Sequence, residues 1–257
     1  MKNLTVNVFT CCNGIYKDFI PLFILSNLYH NDECFVEIGV DDINYEPIQE
    51  SIKRLNEIYP NRFLIREVDF KGITVDGKTY GTAPNTVRFY LEPHTKTKYV
   101  YISDIDIILL TKDFHNQHIK NMSNTGLPYS NVVRPFKEGG NKRLTGLHFT
   151  PYNNYYPIPN FDDLVKSNLL SHDEPFLYKL VKKRHNKFKY DETFRPVHGI
   201  HSSPNRKPSN KGELNWGIPK WEKEWKLFYG SDLFKTIEPT FTDKIKEIIT
   251  IINSEYE

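Results

Sequence analysis

Residues 4–68 alternate between two hydrophobic periods, and that alternation leaves few folds open. Residues 4–10, 34–40 and 62–68 are Val-, Ile- or Phe-bearing runs of strand length. Between them, 19–29 carries large apolar groups at helical spacing. Residues 45–59 put Ile48, Ile52, Leu55 and Ile58 on one face of a helix, which Pro60 and Asn61 end. Strand, helix, strand, helix, strand at such short connections requires a parallel sheet with right-handed crossovers, because each helix must cover an apolar sheet face. The expected class is α/β: a central, mostly parallel sheet flanked by helices.

The run YVYISDIDIILL at 99–110 supplies the next strand and the main chemical signal. Burying Asp104 and Asp106 inside an apolar strand costs free energy unless something compensates their charge. In an extended chain, residues two apart share a face, so both carboxylates would address one point while Ile105 enters the core. Two convergent carboxylates suit a hard divalent cation. The alternative is a turn cap or a pairing with arginine. Ligands in open α/β sheets bind beyond the carboxyl ends of the strands. The loop after Thr10, the Asp41-Asp42 pair and Asp104-Asp106 all fall there.

Elsewhere the pattern predicts a loop or a short hairpin about Asp76-Gly77 and a short helix over 85–93 carrying Arg88. It predicts strands at 132–135, 144–149 and 197–201, and helices at 161–170 and 174–181. A loop runs through 217, and an amphipathic helix covers 241–256 with Ile245, Ile248, Ile249 and Ile252 on one side. Neither an internal repeat nor a linker composition appears, so 1–257 reads as one domain.

A formal net charge of +2 gives no global argument for nucleic acid, although basic residues cluster between Lys179 and Lys226. Cys11, Cys12 and Cys34 form no paired framework, which favours reduced thiols and a cytoplasmic setting. The N-terminal stretch lacks the apolar core of a signal peptide, and no window is apolar for long enough to span a bilayer. The cytosolic face of a membrane stays open, through peripheral contact by 221–257. Core packing is the competing use of that segment's Ile-rich face.

The order of these features resembles the GT-A fold glycosyltransferases, most closely the family 8 type, over roughly residues 4–206. The resemblance implies a nucleotide-binding half at 1–110 ending in the D-x-D, an acceptor and donor-sugar half at 111–220, and a helical segment at 221–257. It implies Mn²⁺ or Mg²⁺ on Asp104 and Asp106, bridging the diphosphate of a nucleotide-sugar donor, with uridine the expected nucleoside. A third metal ligand is expected from His198 or His201 in RPVHGIHSSPNRK, with His201 the first choice. That run departs from the family's H-x-x-G-x-x-K-P-W pattern. Arg206 and Lys207 would neutralise the diphosphate, and Arg88 would lie near donor sugar and diphosphate. Thr10, Asn13 and Tyr16 would cradle the nucleoside, and Asp42 would accept from base or ribose unless it caps a helix. Gly146 and His148 would line the donor sugar, His148 otherwise simply packing. Asp173 and Glu174 would serve as acceptor base or donor-hydroxyl ligands, or open a helix as its cap. The acceptor implied is a glycan or glycolipid. Competing readings are a nucleotidylyltransferase, against which the early loop's poverty in Gly and Lys counts, and a glycan-binding protein on a degenerate transferase fold.

Overall fold

The computed structural model describes residues 4–135, 142–191, 197–208 and 216–257. Part of the loop expected up to 217 therefore lies outside the described residues. The strands are β1 (Val6–Cys12), β2 (Cys34–Val40), β3 (Phe63–Glu67), β4 (Ile73–Val75), β5 (Lys78–Tyr80), β6 (Tyr99–Ile102), β7 (Ile107–Leu109), β8 (Val133–Pro135), β9 (Lys142–Leu144), β10 (His148–Pro151) and β11 (Gly199–His201). The helices are α1 (Ile20–His30), α2 (Gln49–Ile58), α3 (Pro84–Val87), α4 (Phe114–Thr125), α5 (Tyr152–Tyr155), α6 (Asp162–Lys166), α7 (Asp173–Lys182), α8 (Glu222–Tyr229), α9 (Asp232–Ile237) and α10 (Asp243–Ser254).

The main sheet has the order β10-β6-β1-β2-β3. β1 pairs in parallel with both β2 and β6, β2 pairs in parallel with β3, and β10 runs antiparallel to β6. Strand period divides the core into two layers. Val6, Val8 and Cys12 of β1 enter one layer with α1, and Phe9 and Cys11 enter the other with residues of α6 and α7. α1 (IPLFILSNLYH) is apolar nearly all round, and it is buried from Ile20 to Leu28. Its outer cover is the C-terminal segment: Trp225, Phe228, Phe234, Ile237 and the four isoleucines of α10 belong to the same apolar layer. The Ile face of 241–256 is therefore used inside the protein. Among the described residues no helix is long and apolar enough to cross a membrane.

Glu37 holds the sheet's middle. It is fully buried in β2, yet it accepts from Arg66 Nε at 2.8 Å, Asn7 Nδ2 at 3.2 Å, the His94 amide at 2.7 Å and the Thr95 amide at 3.0 Å. A buried charge persists when its oxygens are so satisfied, and here it ties β2 to the segment entering β6.

Three expectations are corrected. The 99–110 run is not one strand: β6 ends at Ile102 and β7 begins at Ile107, with a turn between them closed by the Ile107 amide on the Asp104 carbonyl at 3.4 Å. The expected 144–149 strand divides into the ends of β9 and β10 about Thr145-Gly146-Leu147. The helix over 85–93 shortens to α3, leaving Arg88 as its C-terminal cap.

Candidate metal and donor site

The break between β6 and β7 creates the site. β6 is central and parallel to β1, so its carboxyl end opens beside the loop after β1. The Ser103 amide still bonds the Phe9 carbonyl at 3.0 Å, after which the chain leaves the sheet. Asp104 and Asp106 converge through this turn rather than through strand alternation, while Ile105 is buried as expected.

β7 pairs antiparallel with β11, and that register sets His201 opposite Ile107. The Ser202 amide and hydroxyl both donate to the Asp106 carbonyl at 2.9 Å, locking His201 beside Asp106. Close approach of the two strands needs Gly199, where an added Cβ would lie 1.9 Å from the Ile108 carbonyl oxygen. His201 Nε2 then stands 3.1 Å from Asp106 Oδ1 and 3.9 Å from Asp104 Oδ2. Among the described residues, Asp104, Asp106 and His201 form the group whose ligand atoms all lie within 4.8 Å of one another. Two carboxylates and an imidazole suit Mn²⁺, and Mg²⁺ with more of its own waters.

His198 stands elsewhere. Its Nε2 lies 2.9 Å from His118 Nε2 inside the core, and its ring packs on Phe114 and Tyr101. Burial lowers its pKa to about 4. The expectation that it ligates metal is corrected: three residues before His201 in an antiparallel pair, it meets β7's far end and turns inward.

Arg88 organises the carboxylates. It is nearly fully buried, bonds Asp104 Oδ1, and donates to the Ser103 carbonyl at 2.6 Å and the Asn85 carbonyl at 2.9 Å. Its second amino group lies 3.6 Å from Asp173 Oδ2. Burial alone would raise the pKa of Asp104, but Arg88, His201 and Arg206 outweigh it and hold the carboxyl below its ordinary value. Asp173 goes the other way: burial raises it, Arg88 opposes, and nearby Asp104 and Glu174 add to the rise. Arg206 donates from Nη1 to His201 Nδ1 at 2.8 Å. A guanidinium has no acceptor, so Nδ1 carries the lone pair and the ring proton lies on Nε2, towards Asp106.

The remaining expected residues divide. The Tyr16 ring stacks on Phe19, its hydroxyl accepts from Asn205 Nδ2 at 3.1 Å, and burial and the Asp106 charge raise its pKa. Asn13 is exposed at the start of the 3-10 turn Gly14–Phe19. Asp42 is exposed but engaged, accepting from the Asn44 amide at 2.9 Å and lying 4.0 Å from Lys17 Nζ. Lys207 is exposed on the loop after β11. Gly146 belongs at the centre, since a Cβ there would meet Arg88 Nη2 at 3.1 Å and Asp104 Oδ1 at 3.8 Å. The side chains of Thr10 and His148 are both completely buried, and His148 packs in the core. His148 bonds Asn131 at 3.2 Å between Tyr129 and Tyr155, and burial lowers its pKa to about 3.

Glu174 is clamped. Arg134 and Arg143 each donate to one of its oxygens at 2.8 Å, and the Gly146 amide donates at 3.1 Å. A carboxylate so occupied holds the 145–147 loop against Arg88. Its arginines, together with Asn131 and Asn205, escape sequence reading. Asn131 Nδ2 donates to the Thr145 carbonyl at 3.0 Å and the Leu147 carbonyl at 3.1 Å. The available signal was a buried Asn at a strand start, which needs such backbone partners.

Two solved structures of LgtC share this architecture. The galactosyltransferase LgtC in complex with donor and acceptor sugar analogs is 12% identical, with a TM-score of 0.54 over 87% of this chain and 100% of its own. An active-site mutant of LgtC is 11% identical, again at 0.54, over 86% and 95%. The fold is that of the GT-A glycosyltransferases. No protein-family model and no curated protein sequence matches the chain. Within the GT-A fold, the D-x-D turn of this chain lies at the carboxyl edge of the sheet, where ligands of α/β proteins bind.

Proposed function

We propose that the protein is a metal-dependent glycosyltransferase. It moves a hexose from a nucleoside diphosphate sugar, uridine-linked by family resemblance, to a glycan or lipid-linked acceptor. The observation that carries this reading is the convergence of Asp104, Asp106 and His201 beside a buried arginine. The charges support it: Asp104, Asp106, Asp173 and Glu174 are matched by Arg88, Arg134, Arg143 and Arg206. Such a balanced site binds a divalent cation more tightly together with a dianion, and the diphosphate of a nucleotide sugar carries two charges.

Asp104, Asp106 and His201 would hold Mn²⁺ or Mg²⁺. When bound, that ion stabilises the charge that grows on the leaving diphosphate. Arg206 and Lys207 supply further cationic contacts to the same group. Tyr16, braced by Asn205, closes the site on the side of the nucleoside loop, where Asn13 and Asp42 face solvent for base and ribose. Gly146 lets the sugar approach backbone next to Arg88 and Asp104. Asp173 is the carboxylate offered to sugar or acceptor hydroxyls, and Glu174 positions the loop that carries Gly146. In this reading 1–110 binds nucleotide, 111–220 shapes sugar and acceptor sites, and 221–257 completes the core.

The test is release of nucleoside diphosphate from UDP-sugars with and without Mn²⁺. Metal-dependent release that Asp106→Ala abolishes is expected. A folded Asp106→Ala protein working at the wild-type rate overturns the reading, and release of pyrophosphate instead would mark a nucleotidylyltransferase.

A further inference from the structure

Residues 179–190 read KLVKKRHNKFKY, with Lys179, Lys182, Lys183, Arg184, Lys187 and Lys189 and no acidic residue. The whole chain has a net charge of +2, so setting these six cations aside leaves the rest at −4. The helix dipole favours lysine in the last turn of α7, which accounts for Lys179 and Lys182. Lys187 and Lys189 lie beyond the helix and need another reason.

The stretch is an ordered platform. Phe188 packs on Tyr178 and Tyr129, and the Tyr129 hydroxyl donates to the Lys187 carbonyl at 3.0 Å. The Val133 amide donates to the Lys189 carbonyl at 2.8 Å. With these alternate groups turned inward, Lys187, Lys189 and Tyr190 are exposed, as are Lys179 and Lys182 on the helix. Among the described residues, Asp163 pairs with Lys183 at 2.7 Å, and Asp191, half-buried, follows the stretch. Lys179, Lys182, Lys187 and Lys189 have no carboxylate partner among the described residues. Tyr190 is 58% exposed, with Lys142 Nζ on its hydroxyl at 2.7 Å. Exposed lysines around a projecting aromatic ring match the headgroup region of an anionic bilayer, where cations meet phosphates and the ring reaches the interface.

We infer that this platform, and not the 221–257 segment, docks the protein on an anionic lipid surface. The surface stands independently of the proposed activity; its consequence for the acceptor rests on that reading. From Asp173 to Lys182 is about 14 Å along α7. A docked protein would therefore hold its sugar-transfer carboxylate no more than about 14 Å, a few sugar lengths, from the lysine end of α7, within reach of a glycolipid.

The experiment is co-sedimentation with vesicles of phosphatidylcholine alone and of equal parts phosphatidylcholine and phosphatidylglycerol, without nucleotide sugar. Binding only to the anionic vesicles is expected, weakening as salt shortens the range of the attraction. Each lysine near such a surface contributes roughly fivefold. Replacing Lys179, Lys182, Lys187 and Lys189 together by Gln is expected to lower partitioning by nearly three orders of magnitude, roughly 600-fold, with an unchanged thermal midpoint. Replacing Lys220, Lys223 and Lys226 by Gln should leave partitioning near wild type. Failure of the wild type to bind anionic vesicles, equal binding by the four-Gln variant, or binding to soluble polyphosphate but not to vesicles overturns the inference. None of these outcomes depends on donor hydrolysis, so the two proposals fail separately.

Discussion

Arg206→Ala should raise metal affinity without nucleotide, and that gain should vanish when nucleotide is present. In the structure Arg206 donates to His201 Nδ1, which fixes the ring proton on Nε2. A cation on Nε2 needs the lone pair there, so the proton must move to Nδ1 and the Arg206 hydrogen bond must break. A hydrogen bond from a charged donor contributes about 1.5 kcal/mol at the low end. Metal loading of the wild type bears that cost, and the variant does not, so its Mn²⁺ affinity without nucleotide should rise about tenfold. When a nucleoside diphosphate is present, the released guanidinium has an anion to bind. The wild type then regains a charge-assisted contact of similar size, which the variant lacks. Titration calorimetry with Mn²⁺, alone and with saturating UDP, reads both effects. A variant that binds Mn²⁺ alone no more tightly than wild type would refute the tautomer argument.

Three further outcomes follow from the same geometry. Glu37→Ala leaves Arg66 and the 94–95 amides without their buried acceptor, and urea unfolding should show a loss of about 3 kcal/mol or more. Gly146→Ala forces a Cβ to within 3.1 Å of Arg88 Nη2, so donor hydrolysis should fall about tenfold or more, with stability changed by less than about 1 kcal/mol. Burial keeps His198 and His148 neutral in the fold, with pKa values of about 4 and about 3, and lowers His118 well below its ordinary range. The unfolded chain therefore takes up protons that the fold excludes as pH drops below about 6.5. Stability should be constant above that pH and fall between it and about pH 4, by up to about 1.4 kcal/mol per pH unit for each such histidine; the urea midpoint at successive pH values measures this.

The sheet was legible because its signal is local. β2 spans the expected residues, and the apolar faces of 45–59 and 241–256 are set by neighbours three and four positions apart. At the site, sequence indicated the residue types and the sheet edge but not the partners. The even spacing of Asp104 and Asp106 suggested a shared strand face, whereas a turn delivers the convergence. No spacing rule separates His198 from His201, because the choice depends on the register of β11 against β7, some ninety positions away. Glu174 looked as free as its neighbour Asp173 until Arg134 and Arg143 came in from β8 and β9. Thr10 and His148 carry polar groups at suggestive positions, but only the packed layers show them to be enclosed.

The central claim is that Asp104, Asp106 and His201 hold one divalent ion that in turn holds a nucleoside diphosphate. Electron paramagnetic resonance of Mn²⁺ tests it directly, because the free-ion signal disappears on binding. The wild type should take up one Mn²⁺ per chain, more tightly with UDP present. Asp106→Asn should weaken that uptake by about a hundredfold or more while its thermal midpoint stays close to wild type. Equal Mn²⁺ uptake by wild type and Asp106→Asn, or none by either with UDP present, would contradict the account.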